Sequence, residues 1–72
     1  MTTLQPPKGI AVPVVNVALW KGNSTDQRRE LVTELTDSVA RIADCPKEAV
    51  TVILTEVERD HWGKGGRLAS EL

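Results

Sequence analysis

A chain of 72 residues with one cysteine, no phenylalanine, no tyrosine and only two tryptophans has few ordinary means of holding itself together. The lone Cys45 excludes an internal disulfide, and no Cys/His cluster offers the ligand set of a structural zinc site. The core has to come from Val, Leu, Ile and Ala, and a domain this small buries too little of them alone to be comfortably stable. Oligomerisation is the staple that remains. A strong charge of one sign is missing too: nine Lys and Arg stand against ten Asp and Glu, giving a formal net charge of −1. The basic residues are scattered, which argues against nucleic acid as a partner. With no long apolar run and no signal-peptide pattern, no membrane association is expected, and a reducing cytoplasm is the expected location. Cys45 then reads as a small hydrophobe rather than a nucleophile.

Ordinary catalytic machinery is equally scarce. No Ser/His/Asp arrangement has usable spacing, and the single His61 reads as a loop or interface residue rather than a base. The "GKGG" stretch at 63–66 neither opens a helix nor has Walker spacing, so it is not a phosphate loop. Glu56 and Glu58 read as a solvated strand edge rather than an acid/base pair. No cofactor and no metal are implied.

What is present is a clear order of elements. Residues 1–12, "MTTLQPPKGIAV", combine adjacent prolines and a glycine without periodicity and read as an irregular arm ahead of a domain over 13–72. "VPVVNVALW" follows, and its β-branched, nearly continuous apolar run suits a strand buried on both faces. Ser24 is a good N-cap with Gln27 as capping-box partner and Asp26 in the first turn. A long helix is predicted from there, with Leu31, Leu35, Val39 and Ile42 as its apolar stripe and Val32, Ala40 and Ala43 widening it. Asp37 and Arg41 are spaced for an i,i+4 pair, and Pro46 is expected to stop the helix. "AVTVILTEV" is a second strand, which a helical crossover makes parallel to the first. Gly63, Gly65 and Gly66 predict a tight loop or hairpin before a short terminal segment. One helix cannot cover both faces of two strands, so other copies of the chain are expected to complete the burial.

This order, with the motifs "PVVNV", "GNSTDQ", the helix-closing proline, "ILTEV" and the aromatic-Gly-x-Gly-Gly loop, resembles the 4-oxalocrotonate tautomerase family of the tautomerase superfamily, from Pro13 to the C-terminus. The resemblance implies an α/β (α+β) fold: a β-α-β tautomerase-like subunit with parallel strands and a C-terminal Gly-rich loop or hairpin, assembled into a homo-oligomer. A hexamer is implied first and a dimer next. It implies a cofactor-free isomerase acting on a small organic acid, in which Pro13 moves a proton between the carbon and oxygen of an enol or 2-oxo acid. Trp62 and Trp20 stand where the family has apolar walls; filling subunit interfaces is the other role open to them. The family's two substrate-holding arginines fall at Asn23 and Thr51, neither of which offers a charged fork. The dicarboxylate substrate is therefore not implied. Arg28, Arg29 or Arg67 could substitute from a neighbouring subunit, or be solvated surface charge.

The resemblance puts a condition on Pro13. The family's catalytic proline is a free N-terminal amine, whereas a peptide-bonded proline nitrogen has its lone pair in the amide. Two readings follow. Translation starts at Val12 through a GTG codon, giving Met-Pro13 and then Pro13; or the arm stays, and the fold persists as a non-catalytic homologue. A hydratase or dehalogenase using protonated Pro13 as an acid is the further alternative within the superfamily.

Overall fold

The computed structural model describes residues 12–72, so the expected irregular arm lies outside the described residues apart from Val12. Strand β1 spans Val14–Trp20, helix α1 Thr25–Ala43 and strand β2 Thr51–Val57. β1 and β2 pair in parallel, from Val14 opposite Thr51 to Trp20 opposite Val57. A β-α-β unit with parallel strands is thus the architecture expected from the sequence.

Burial alternates along both strands. Val15, Val17 and Leu19 of β1 and Val52, Leu54 and Glu56 of β2 are half-buried on the face that α1 covers, while Val14, Asn16, Ala18, Trp20, Thr51, Ile53 and Thr55 are exposed. In one chain β1 is therefore covered on one face, where its apolar run suggests two. A single helix has no way to reach the second face.

The helix start follows the sequence closely. The Ser24 hydroxyl accepts from the Gln27 N–H at 3.1 Å, and the Gln27 side chain accepts from the Ser24 N–H at 2.8 Å, closing the capping box. The end differs from expectation. α1 stops at Ala43 because Asp44 turns left-handed (φ 58°, ψ 53°) and donates its N–H to the Ala40 carbonyl, two residues before Pro46. The Asp37–Arg41 pair is not formed; Asp37 meets Lys47 instead at 3.0 Å. The stripe also runs out early. Leu31, Val32, Leu35, Val39 and Ala40 are half-buried, but Ala43 is exposed and Ile42 is 74% exposed. A helix of 19 residues is about 28 Å long at roughly 1.5 Å per residue, against about 23 Å for a strand of 7, so its last turn overhangs the sheet.

Beyond β2, a 3₁₀ turn over Arg59–His61 leads into Trp62 and a two-residue hairpin, β3 (Gly63–Lys64) and β4 (Arg67–Leu68). Gly65 and Gly66 both have positive φ, 62° and 82°, as a tight hairpin turn of this kind needs. The Trp62 carbonyl accepts from the Ala69 N–H at 2.7 Å, folding the last 3₁₀ turn, Ala69–Glu71, back onto this loop. Ala69, 5% exposed, is the only buried residue among the described residues. No helix among them is long and apolar enough to cross a membrane.

Candidate active site

Pro13 stands immediately before β1, half-buried, and its carbonyl accepts the Thr51 N–H at 3.0 Å. A proline is tolerated here because the first residue of a strand can lack a ladder donor. The bond ties the proline to the start of β2. In the 72-residue chain its nitrogen is bonded to Val12.

The two tryptophans gather at the opposite end of the sheet. Trp20 closes β1 and Trp62 enters the glycine hairpin, and their rings meet edge to face, centroids 6.1 Å apart at 77°. Seven strand residues at roughly 3.3 Å each put Trp20 about 23 Å from Pro13. The structure thus joins Trp20 to Trp62 and keeps both away from the proline of the same chain. A third residue joins the pair without having been singled out in the sequence: the Arg59 guanidinium lies over the Trp20 ring, 4.7 Å from its centroid. Its only sequence signal is a position three residues before Trp62.

At the tryptophan end of the sheet, where Leu19 stands opposite Glu56, lies a polar tie. Gly22, at φ 124°, turns the chain so that the Asn23 N–H and side-chain amide both donate to the Glu56 carboxylate, at 3.1 and 3.3 Å. The Asn23 amide also donates to the Trp20 carbonyl at 3.0 Å. Arg28 adds a contact to Glu56 at 3.3 Å and another to the Asn23 carbonyl. The Asn23 backbone donor, then its side chain, hold the Glu56 carboxyl below its ordinary range, against the opposing effect of burial. Glu56, expected as solvated edge, is instead the anchor of the β1–α1 turn. Glu58 pairs with Lys21 at 2.9 Å on the surface, and that hydrogen bond raises the Lys21 pKa.

The three candidate substitute arginines are locally engaged. Arg28 is committed to Glu56, Arg29 to Asp26 at 2.7 Å, and Arg67 to the Glu71 carbonyl at 2.9 Å. Thr51 gives its N–H to Pro13 and brings no charge. His61 is exposed beside Asp60, and Cys45 is a half-buried free thiol. Among the described residues, no group of His, Cys, Asp and Glu assembles a metal site.

Comparison with known proteins supplies the family. A family profile described as "Tautomerase enzyme" matches residues 13–71. A 2-hydroxymuconate tautomerase of Pseudomonas putida is 34% identical over 61 residues, covering 85% of this chain and 97% of the relative. Among solved structures, a 4-oxalocrotonate tautomerase homologue superposes with a TM-score of 0.76 at 43% identity, over 83% of this chain and 95% of that one. A heterohexameric 4-oxalocrotonate tautomerase from Chloroflexus aurantiacus gives a TM-score of 0.78 at 34% identity, over 82% and 95%. With the parallel β-α-β unit and the glycine hairpin already in place, these likenesses make the chain a member of the tautomerase family and an isomerase.

Proposed function

We propose that the chain catalyses cofactor-free isomerisation of a small enol or 2-oxo unsaturated acid, with Pro13 as general base once its nitrogen is a free amine. The observation that carries this reading is that the family match opens at Pro13, the residue tied to Thr51 at the start of the sheet. A free α-amine has an unperturbed pKa of about 7.7 to 8.0, and an apolar surrounding lowers it, so a useful fraction is basic at neutral pH. Trp62 and Trp20 supply apolar wall. Because they lie about 23 Å from Pro13 in one chain, a pocket containing both takes the proline from one subunit and the tryptophans from another.

Such a pocket requires a homo-oligomer, a hexamer ahead of a dimer. The open sheet face and the scarcity of buried side chains support assembly, as does likeness to a heterohexameric relative. A dicarboxylate substrate is not carried over from the 2-hydroxymuconate relatives, since Asn23 is bonded to Glu56 and Thr51 is uncharged. A reducing cytoplasm suits the free thiol of Cys45.

The amide between Val12 and Pro13 favours a second reading for the chain with its arm attached, that of a non-catalytic homologue. One experiment separates them: ketonisation of phenylenolpyruvate by a chain matured to Pro13, by the 72-residue chain and by Pro13→Ala. The matured chain is expected to be about a hundredfold faster than either, the range of a general base. Equal rates in all three remove Pro13 from the mechanism. Intact mass from the native source and the Val12 codon establish which N-terminus the cell makes.

A further inference from the structure

We propose that Arg59 is a carboxylate-binding residue that presents its guanidinium beside the Trp20–Trp62 pair and selects small monocarboxylates over diacids. The argument starts from how the cations are spent. Lys21, Arg28, Arg29 and Lys47 each pair with a carboxylate, Glu58, Glu56, Asp26 and Asp37 respectively. Arg59 forms no ion pair with a described residue, although acids flank it: Glu58 is taken by Lys21 at 2.9 Å, and Asp60 lies 3.2 Å from His61.

Arg59 is instead held by an aromatic face, 4.7 Å above Trp20, whose own ring is braced edge-on by Trp62. A guanidinium stacked in this way satisfies its π-surface and leaves its in-plane N–H groups for a planar anion, to which they donate as a two-pronged fork. The indoles limit water on one side, which strengthens that bond. They also offer apolar area to the remainder of a small acid. The neighbouring open cleft, about 440 Å³, is lined by Lys21, Glu58, Arg59, Asp60 and Ser70. With Lys21 already held by Glu58 and Asp60 adding a further carboxylate to the rim, a second acidic group on the ligand finds no second fork and meets repulsion rather than a partner.

This deepens the proposed function by naming what holds the substrate's carboxylate, and it rests on that reading only for where the acid reacts. The fork and the indoles belong to one chain. Their test therefore does not need a free Pro13 amine. Trp20 and Trp62 are the chain's only aromatic residues, so intrinsic fluorescence reports directly on the site. The 72-residue chain is titrated with 3-phenylpropionate, with its neutral amide and with the diacid phenylsuccinate. The monoacid is expected to bind about tenfold or more tighter than either, as a charge-assisted fork implies. In Arg59→Ala that preference collapses, and Arg59→Lys restores part of it, keeping the charge without the fork. No preference for the monoacid in the parent chain overturns the proposal. So does an equal loss for acid and amide in Arg59→Ala, which marks Arg59 as a brace for Trp20. A catalytically silent Pro13 sinks the proposed isomerisation and leaves this titration standing.

Discussion

Glu56 does the work that the sequence assigns to no one. Two donors from Asn23 and one from Arg28 converge on its carboxylate, and they tie the end of β1, the turn and the first turn of α1 to β2. Its lowered pKa fixes the direction of a pH effect. A carboxyl whose folded pKa is depressed stabilises the fold above its unfolded value and loses that contribution as pH falls through the folded value. Glu56→Gln is therefore expected to lower the unfolding midpoint at pH 7, and its deficit relative to the parent should shrink as pH drops below the ordinary 4.5. Denaturant titrations at pH 7 and at acid pH measure both quantities. A deficit that stays constant across that range means the carboxylate charge is not what holds the turn.

At the scale of elements, α1 is specified by its ends more than by its stripe. The capping box satisfies orphan donors at the N-terminus, so Ser24→Ala is expected to cost about 0.5 to 2 kcal/mol, read from a denaturant midpoint. The glycine hairpin is specified by backbone alone. A Cβ at Gly65 would meet nothing within 4 Å, yet φ is 62°. Gly65→Ala should then cost about 1 to 2 kcal/mol through left-handed strain without any clash, measured in the same way. It also shifts the loop that carries Trp62, so the Trp62 emission maximum is expected to move.

For the whole molecule, the deciding fact is how little one chain buries. Ile53 and Val14, 44% and 52% exposed, stand in the row of the sheet opposite the one that α1 covers. Ile53→Lys is expected to shift the assembly toward smaller species in light-scattering chromatography and to lower the melting temperature. The parent's melting temperature should rise with protein concentration, as it does when assembly stabilises the folded chain by mass action. A sharp, concentration-independent melt shared by parent and variant means that this face is not an interface.

The sequence by itself determined the local elements: two β-branched strands, a capped helix between them, their parallel pairing and a hairpin where glycines permit positive φ. These are set by short-range sterics, caps and periodicity, which act within a few residues and are written in residue type and spacing. It also placed Pro13 before the first strand. Only the tertiary structure decided that Asp44 rather than Pro46 ends the helix, that Asp37 pairs with Lys47, and that α1 overhangs its sheet at Ile42. It alone brought Asn23 to Glu56 and Arg59 onto Trp20, contacts between residues 33 and 39 positions apart. Long-range pairings of this kind depend on the register of the two strands and the path of the turn. No local preference of either residue encodes them, so they become legible only once the sheet has set them side by side.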